Sequence, residues 1–396
     1  MVPLKITPAY HRALVLAASI FFLSSIYLCS TRLLNFKAMT PEHVTTPTTP
    51  AKPTYTKPVS LNDADLPMSY GGYMRPPLTD LTLIGAIPPE FVPTPKNKRR
   101  LVVVGDIHGM DSALDALLKE ANFNEETDHL VSVGDMVSKG PDSPAVVARL
   151  MQLNASAVRG NHEDRLLLAR STMDAMHGVT ADQENPNMQH RKGKSEEVAL
   201  ARTLDKEQLD WLAALPVILT AEPLPLLIVH AGLVPGIELG NQDPWAVMNM
   251  RTLAYPREEL RKKAMESPRR RDTSDVDGLG DMVSGEDKLQ SEYEAVRENA
   301  DPSQATFDRA VVVPLESRTG EKWTVGWDRH QEGLKEDQRR TIIYGHDARE
   351  GFKEGKYTLG LDSGCVKGNS LTAAIIEATS NTAFKYTTVQ VGCTPP

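Results

Sequence analysis

Residues 101–109 read LVVVGDIHG, and this segment decides the fold of the chain. Its first four residues are apolar and three of them are β-branched, which predicts a buried strand. The strand ends at Gly105, and Asp106 and His108 follow with one residue between them. In an open α/β sheet the chemistry lies beyond the carboxyl ends of the strands, where an aspartate and a histidine at this spacing can reach one cation. Alone, the pattern could equally be a helix cap and a structural histidine of the loop.

Two later segments repeat this pattern of an apolar strand, a glycine and a polar side chain. Residues 130–135 read LVSVGD, and residues 155–163 read ASAVRGNHE. Residues 111–121 and 143–153, which separate the three strands, have helical periodicity. A β-α-β-α-β order predicts a parallel sheet whose strand ends share one edge, so the sequence indicates an α/β fold. Five metal-binding side chains should converge at that edge: Asp106, His108, Asp135, Asn161 and His162.

Two further strand motifs complete an ordered set of five. Residues 226–233 read LLIVHAGL and residues 341–347 read TIIYGHD, so that His230 and His346 each follow an apolar strand. The set resembles the motifs of calcineurin-like metallophosphoesterases, in the branch that contains serine/threonine protein phosphatases and bacterial diadenosine tetraphosphatases. The resemblance extends over roughly residues 99–376. It implies a four-layer α-β-β-α sandwich, an α/β (α+β) fold in which two mixed β-sheets pack face to face.

The resemblance also implies a dinuclear metal centre that hydrolyses phosphate bonds. Two divalent cations lower the pKa of a water between them and neutralise the charge of the transition state. Each implied metal ligand stands in one of the five motifs: Asp106, His108 and Asp135 for the first cation, and Asp135, Asn161, His230 and His346 for the second. The resemblance implies that Asp135 would bridge both cations and is therefore also a catalytic residue, and that His162 is the general acid that protonates the leaving oxygen. Mixed nitrogen and oxygen ligands suit Mn, Zn, Fe or Co.

The second motif departs from the protein-phosphatase pattern at two positions, the aspartate that would orient the acid histidine and the arginine that would hold phosphate. Protein phosphatases have Gly-Asp-x-Val-Asp-Arg-Gly, whereas residues 134–141 read GDMVSKGP, with Ser138 and Lys139 in place of the aspartate and the arginine. Lysine binds phosphate as a point charge, without the two parallel hydrogen bonds of arginine. The Lys-Gly-Pro version resembles eukaryotic relatives of bacterial diadenosine tetraphosphatase, which include membrane-anchored vacuolar endopolyphosphatases of fungi. The predicted phosphate-binding residues are Lys139, Arg251 and Asn161.

The favoured function is hydrolysis of phosphoanhydrides, with inorganic polyphosphate as the leading substrate. A serine/threonine protein phosphatase is the main alternative, and hydrolysis of diadenosine polyphosphates or capped RNA stays open. A catalytically inactive, anchored binding module is a further alternative, but intact side chains at all six metal positions argue against it. The net charge of −8 disfavours specific nucleic-acid binding, because a protein that binds nucleic acid needs cations for the phosphate backbone.

The N-terminal residues predict an anchor and a stalk. Residues 1–12 form a short tail, and residues 13–31 carry no charge and are long enough to cross a bilayer, with a cleaved signal peptide as the alternative. Residues 32–98 are rich in Pro and Thr and should form an extended stalk, which favours a vacuolar or secretory lumen. Similar basic residues on both sides of the anchor leave a cytoplasmic orientation open. The catalytic domain is expected over residues 99–396, with a charged, disordered insertion at about 258–308.

The cysteines give two further predictions. The chain has 3 Cys in 396 residues, which excludes a fold held together by a disulfide framework. Residues 361–366, LDSGCV, resemble the final motif of the family. Cys365 is expected there as a packed rather than a reactive side chain.

Overall fold

The computed structural model describes residues 37–38, 59–60, 81–177, 194–266 and 307–396. The strands of these residues, in chain order, are β1 (Lys37–Ala38), β2 (Val59–Ser60), β3 (Thr82–Ala86), β4 (Arg100–Val104), β5 (Asp128–Ser132), β6 (Ser156–Ala157), β7 (Ile218–Thr220), β8 (Leu226–Val229), β9 (Thr252–Ala254), β10 (Val313–Leu315), β11 (Glu321–Lys322), β12 (Thr341–Tyr344), β13 (Lys353–Glu354), β14 (Thr358–Gly360), β15 (Ser370–Ser380) and β16 (Ala383–Gly392). The α-helices of the same residues are α1 (Asp111–Glu120), α2 (Ser143–Gln152), α3 (Asn161–His177), α4 (Lys194–Thr203), α5 (Lys206–Ala214), α6 (Pro244–Asn249), α7 (Pro256–Glu266) and α8 (Trp323–Glu332).

A six-stranded sheet carries the first three motifs, in the order β1-β16-β15-β4-β5-β6. Strands β4, β5 and β6 are parallel, with α1 and α2 in the connections, so the predicted β-α-β-α-β unit is confirmed. Strand β15 pairs with β4 in the antiparallel sense, which makes the sheet mixed. Because β4 and β5 run parallel and in register, their carboxyl ends bring Asp106 and Asp135 to the same edge.

A seven-stranded sheet, in the order β13-β14-β12-β8-β7-β3-β2, carries the two later motifs. Strand β12 is parallel to β8 and to β14, whereas β7 is antiparallel to β8, so this sheet is also mixed. The parallel pairing of Thr341 with Leu226 places the ends of β8 and β12, and hence His230 and His346, side by side. The framework is therefore a pair of mixed sheets, as the resemblance implies.

The layers follow from the alternation of side chains along each central strand. In β4, Val102 and Val104 join the core under α1 and α2, whereas Leu101 and Val103 join the core between the two sheets. Strand β8 alternates in the same way between the inter-sheet core and a third core under α6 and α8. Each fully buried Leu or Val contributes roughly 1.5–3 kcal/mol, so strands that are apolar on both faces fix the stacking. The four-layer α-β-β-α sandwich is confirmed.

A third sheet, which the motifs do not predict, has three strands in the order β10-β9-β11. Both of its pairings are antiparallel, and its strands are too short for an alternation signal in the sequence. The N–H of Arg251, just before β9, donates to the carbonyl of Leu315 in β10 at 2.8 Å. This small sheet thereby holds the backbone of Arg251 in place.

The predicted stalk extends too far along the chain. Strand β3 lies within residues 32–98 but pairs in parallel with β7 of the seven-stranded sheet. Five apolar side chains in and beside this strand are buried: Leu81, Leu83, Ile84, Ile87 and Val92. The folded domain therefore begins at about residue 81 rather than at residue 99. The predicted stalk was too long because residues 81–87 read LTLIGAI, an apolar strand sequence inside a proline-rich region.

The predicted disordered insertion at about 258–308 is wrong at both of its ends. Helix α7 covers its beginning, and the side chain of Glu258 is buried. Arg261 forms an ion pair of 2.7 Å with Asp308, and Nε of Arg309 donates to Glu258 at 2.9 Å. The two ends of the segment are therefore held together. Residues 267–306 lie outside the described residues.

The predicted membrane anchor over residues 13–31 lies outside the described residues, as do the tail before it and most of the stalk. In the part of the chain that the structure describes, no helix has both the length and the apolar character needed to cross a membrane. The anchor and its orientation therefore stay predictions.

Cys365 and Cys393 form a disulfide bond, with 5.3 Å between their Cα atoms. Cys365 is buried and packed in the core under α1 and α2, as predicted. Its partner was missed because Cys393 lies 28 residues away, at the end of β16, and no local pattern pairs the two. The bond joins the loop after β14 to the C-terminal end of the six-stranded sheet.

Candidate metal centre

The five motifs deliver their polar side chains to one edge of the two sheets. Each side chain follows a strand: Asp106 and His108 follow β4, Asp135 follows β5, Asn161 follows β6, His230 follows β8 and His346 follows β12. All six are buried, with exposed fractions of 9% or less. The structure therefore brings every residue that was predicted as a metal ligand into one buried cluster.

Left-handed backbone at three of these positions turns the side chains into the cluster. The φ angle is 48° at His108, 51° at Asp135 and 71° at His346. Such a conformation costs a non-glycine residue roughly 1–3 kcal/mol and is concentrated at functional sites. Gly345 permits the last of these turns, because a Cβ there would lie 2.0 Å from Oδ1 of Asp106. The local backbone thus serves the geometry of the cluster rather than stability.

The three predicted histidine ligands are oriented by main-chain carbonyls. Each ring donates one N–H to a carbonyl oxygen: Nδ1 of His108 to Val137 at 3.0 Å, Nδ1 of His230 to Val133 at 2.9 Å, and Nε2 of His346 to Asn249 at 3.0 Å. A carbonyl oxygen can only accept, so each bond fixes the tautomer of its imidazole. The other ring nitrogen then presents a lone pair to the centre, which is the usual arrangement around a metal ion.

These lone pairs converge on Asp135. Its Oδ1 lies 3.3 Å from Nε2 of His230, and its Oδ2 lies 3.5 Å from Nε2 of His108. Nδ1 of His346 lies 3.2 Å from Nε2 of His230. Two bare nitrogen lone pairs at that distance repel each other unless a cation or a proton lies between them. The donor set therefore fits divalent metal ions.

Two groups of residues could each hold a metal ion, because the potential ligand atoms within each group lie within 4.8 Å of one another. One group contains His108, Asp135 and His162, and the other contains Asp106, Asp135 and His230. Asp135 belongs to both groups, as a bridging carboxylate should. The grouping differs from the expectation, because His162 rather than Asp106 accompanies His108, Asp106 accompanies His230, and His346 is in neither group. Oδ2 of Asp106 lies 4.0 Å from Nε2 of His108, so the expected pair is still close.

Asp362 is a member of the cluster that the sequence analysis did not assign. Burial, together with the nearby Asp362 and Asp135, raises the pKa of Asp106 well above its usual range. Buried carboxyl groups this close together carry negative charge that a divalent cation would neutralise. The signal was present in the motif LDSGCV, where Asp362 follows β14, but the motif alone does not show which side chain it meets.

His162 differs from the three oriented histidines. Its Nε2 lies 3.9 Å from Oδ2 of Asp135, and its ring meets the ring of His108 edge to face at 4.9 Å. Its buried Nδ1 and the buried Oγ of Ser138 have no hydrogen-bond partner in the described residues. Burial lowers the pKa of His162 to about 3, so the ring is neutral at pH 7 before substrate arrives. The substitution at Ser138 thus leaves the proposed acid without an orienting carboxylate.

Glu163 holds the second and third motifs together. Its buried carboxylate accepts four main-chain N–H groups, from Gly160 at 2.8 Å, Asp135 at 2.9 Å, Met136 at 2.8 Å and Val137 at 3.1 Å. Burial and the neighbouring Asp135 raise its pKa to about 7. Glu163 therefore fixes the loop that carries Asp135 rather than contributing a ligand atom.

Cationic side chains lie beside several residues of the cluster. Nζ of the predicted phosphate ligand Lys139 lies 2.8 Å from Nε2 of His108. Arg251 is the other predicted cation, and its Nη1 donates to the carbonyl of Glu316 at 3.1 Å. Burial, the neighbouring His230 and the charge of Arg251 together lower the pKa of His346 well below its usual range. Two more arginines were missed by the sequence analysis: Arg165, in α3, and Arg318, which pairs with Asp347. Neither stands in a motif that follows a strand, so only the folded chain reveals them.

Comparisons with known proteins agree with this geometry. A family model described as calcineurin-like phosphoesterase matches residues 99–350, more than half of the 396 residues. A symmetrical bis(5'-nucleosyl)-tetraphosphatase of Vibrio parahaemolyticus is 28% identical over 293 residues, which is 68% of this chain and 92% of that protein. Serine/threonine-protein phosphatase 1 of Salmonella typhimurium is 49% identical over 77 residues, but these are 19% of this chain and 36% of that protein.

Among solved structures, a candidate diadenosine tetraphosphatase shares the fold with a TM-score of 0.51 and 24% identity, over 79% of this chain and 99% of that chain. For six further bacterial bis(5'-nucleosyl)-tetraphosphatases, the match covers 44–48% of the relative's length. The region that the family model matches contains all five motifs and the six buried side chains predicted as metal ligands. The chain therefore belongs to the calcineurin-like phosphoesterase family of metal-dependent phosphatases.

Proposed function

We propose that this protein hydrolyses phosphoanhydride bonds and that inorganic polyphosphate is its substrate. The observation that carries the proposal is a set of cations beside residues of the buried cluster and its rim: Lys139 beside His108, Arg165 beside Asn161, Arg251 beside His346, and Arg318 beside Asp347. A linear polyanion bound at the centre can contact several of these cations at once. A single phosphate monoester uses fewer of these contacts.

The chemistry follows from the arrangement of the side chains. The residues that would hold two divalent cations are Asp106, His108, Asp135, Asn161, His230 and His346. When bound, the cations supply a water of lowered pKa and neutralise the charge that develops on the phosphoryl oxygens. Asp135 has one oxygen near His230 and the other near His108, so its carboxylate suits the bridging position.

His162 is the group that we assign to protonate the leaving oxygen. Its low pKa belongs to the protein without substrate, in which burial disfavours the charged ring. A phosphate anion next to the ring favours the protonated form, so the proton would be taken up as the substrate binds.

A dinucleoside tetraphosphate is the second candidate substrate. The observation in its favour is the Vibrio relative, a symmetrical bis(5'-nucleosyl)-tetraphosphatase that aligns over 92% of its own length. Such a substrate also contains phosphoanhydrides and would use the same centre. A phosphoserine peptide is less suited, because Lys139 replaces the arginine with which protein phosphatases hold a single dianion in two parallel hydrogen bonds.

The proposal includes a location at a membrane, facing a vacuolar or secretory lumen. Its support is the uncharged segment at residues 13–31 and the disulfide between Cys365 and Cys393. Disulfide bonds persist in oxidising compartments and are rare in the cytosol. The N-terminal segment would then hold the catalytic domain on the luminal side.

The test is a substrate panel on the full chain. Equal phosphate concentrations of long polyphosphate, diadenosine tetraphosphate and a phosphoserine peptide are offered with Mn²⁺, Zn²⁺ or Co²⁺ at low salt, and released phosphate or shortened chains are measured. We expect polyphosphate to give the highest kcat/KM. Faster hydrolysis of the phosphopeptide would make this a protein phosphatase, and a preference for the dinucleotide would select the second candidate.

A further inference from the structure

The ring of the acid histidine His162 is held on one side only. Its Nε2 lies 3.9 Å from Oδ2 of Asp135, whereas its Nδ1 is buried and has no hydrogen-bond partner among the described residues. The three predicted histidine ligands differ in this respect, because a main-chain carbonyl accepts an N–H from each of their rings. No bond of that kind in the described part of the chain fixes the plane or the tautomer of the acid.

Ser138 stands where the protein-phosphatase pattern has the aspartate that would orient this histidine. Its buried Oγ also has no hydrogen-bond partner in the residues that the structure describes, so it does not bond to Nδ1 of His162. A serine side chain is one bond shorter than that of an aspartate. The loop is held in place, because the N–H of Ser138 donates to Oγ of Ser143 at 3.0 Å and its carbonyl accepts from Gly140 at 2.8 Å.

The need for a well-oriented acid depends on the leaving group. Hydrolysis forms a bond from the water oxygen to phosphorus, the water loses one proton to solvent, and the bond from phosphorus to the leaving oxygen breaks with its electron pair on that oxygen. A serine alkoxide is a strong base and must receive a proton as it departs, here from Nε2 of His162, which then recovers one from solvent. A phosphate leaving group is a weak base and can depart as an anion. A phosphoanhydride therefore needs little help from the acid.

We propose that Ser138 is a specificity-determining residue, which leaves His162 unanchored and thereby restricts the centre to substrates whose leaving oxygen is a weak base, such as phosphoanhydrides and activated aryl esters. The inference rests on the proposed function, in which His162 is the acid. Ser138→Asp or Ser138→Asn would supply the missing acceptor and extend the reaction to alkyl phosphates. The backbone favours both substitutions, because φ is 71° at Ser138 and Asp and Asn are enriched among non-glycine residues at such angles.

The first experiment measures how the rate depends on the leaving group. The full chain with Mn²⁺ is given a series of aryl phosphates, from para-nitrophenyl phosphate to phenyl phosphate, and a phosphoserine peptide, and kcat and KM are determined for each. Ser138→Asp supplies a charged acceptor, and Ser138→Asn supplies a neutral acceptor of the same shape. The matched control is Ser112→Asp, which adds the same charge at an exposed position in the first turn of α1.

We expect the kcat of the wild type to fall steeply as the leaving group becomes more basic. Both variants at position 138 should raise kcat for the phosphoserine peptide at least about tenfold relative to para-nitrophenyl phosphate, since a positioned general acid contributes about 10²–10⁴-fold. KM should change little, because the acid acts on the bond that breaks. The control should match the wild type. A shallow dependence in the wild type, or one that neither variant changes, would overturn the proposal.

A double substitution shows whether the gain depends on His162. In the chain that carries Ser138→Asp, His162→Gln should remove the whole gain on the phosphoserine peptide. In the wild type, the same substitution should cost much less on that substrate, so the two effects are not additive. A gain that survives His162→Gln would mean that the new carboxylate acts directly on the substrate, and the proposal would be wrong.

A spectroscopic measurement reports the orientation of the ring without turnover. In the full chain with Zn²⁺ and ¹⁵N-labelled histidine, the Nδ1 resonance of His162 is assigned by its loss in His162→Gln. Ser138→Asp and Ser138→Asn should shift it toward the value of an N–H held in a hydrogen bond, whereas Ser112→Asp should not. An unchanged resonance would show that position 138 does not reach the ring and would refute the proposal. If one variant is poorly folded by circular dichroism, the other decides.

These outcomes are separate from the choice of substrate in the proposed function. A chain that prefers diadenosine tetraphosphate to polyphosphate, but whose steep leaving-group dependence is relieved by the variants at Ser138, would refute the proposed substrate and leave this inference intact. A chain that hydrolyses polyphosphate best, with a leaving-group dependence that the variants leave unchanged, would refute the inference alone.

Discussion

At the scale of single residues, the centre is set by hydrogen bonds to groups outside the ligand set. Hydrogen bonds to main-chain carbonyl oxygens fix the tautomers of His108, His230 and His346. Glu163 holds the loop that carries Asp135. These partners are main-chain atoms and one buried carboxylate. The ligand geometry is therefore built into the backbone before any metal ion binds.

Asp135→Asn is expected to abolish turnover, with kcat reduced by at least about 10³-fold. Both halves of the cluster share this carboxylate, and an amide has a single acceptor atom and no charge with which to bridge two cations. Initial rates on polyphosphate and metal content by mass spectrometry check the result. Near-normal turnover by a variant that retains two metal ions would contradict the dinuclear centre.

His129 gives a prediction for the pH dependence of stability, away from the metal centre. Its ring is buried and stacks on Phe91 at 4.2 Å, and its Nε2 bonds to Oγ of Ser156. Burial, and then the charge of Arg99, lower its pKa from 6.5 to about 4. The folded protein disfavours the proton, so stability is complete above pH 6.5 and falls as the pH drops toward 4. The full loss from this group is about 3 kcal/mol.

The matched variant is His129→Gln, which can still bond to Ser156 but does not titrate. Urea unfolding at several pH values between neutral and acid measures the free energy of unfolding of both proteins. The wild type should lose more stability on acidification than the variant, by up to about 3 kcal/mol. Equal losses would show that His129 does not stay neutral in the folded protein.

At the scale of secondary-structure elements, short strands outside the motifs complete the sheets. Strand β3 joins the seven-stranded sheet beside β7, and the sheet of β9, β10 and β11 holds the backbone of Arg251. These elements are two to five residues long. Their stability comes from pairing and from burial in the shared core rather than from their own sequence.

Two truncations test the corrected domain boundary. A chain that begins at residue 61 keeps β3 and should be soluble and turn over substrate. A chain that begins at residue 99 lacks β3 and exposes the edge of β7 and the core around it, so we expect aggregation or a loss of cooperative unfolding. Activity, size-exclusion profiles and thermal unfolding compare the two. Equal activity and stability of the two chains would show that the folded domain begins at residue 99.

At the scale of the whole molecule, an acidic chain carries several cationic side chains beside its buried cluster. The chain carries a net charge of −8, yet four cationic side chains lie around the buried cluster: Lys139, Arg165, Arg251 and Arg318. An acidic protein with a cationic site attracts a polyanion only when that anion comes near the site. Binding should therefore depend strongly on ionic strength.

The expected result is a KM for long polyphosphate that rises several-fold between about 0.05 M and about 0.5 M salt, because screening shortens the reach of exposed charges to less than ~8 Å. A small aryl phosphate, held mainly at the buried cluster, should show a much smaller change in KM. Steady-state kinetics on the two substrates at matched pH check the difference. A parallel response of both substrates would remove the electrostatic basis for a polyphosphate preference.

The sequence by itself determined the β-α-β-α-β unit and the polar side chains at its edge, because apolar strands end in glycine and a polar residue, and parallel strands place such ends at one edge. The second sheet, with His230 and His346, followed from the family resemblance that the five motifs carry. The tautomers of the histidines, the place of Asp362 beside Asp106, and the positions of Arg165 and Arg318 became visible only in the tertiary structure. So did strand β3 in the sheet and the bond between Cys365 and Cys393. Each of these depends on contacts between residues far apart in the chain, and such contacts leave no periodic or local pattern to read.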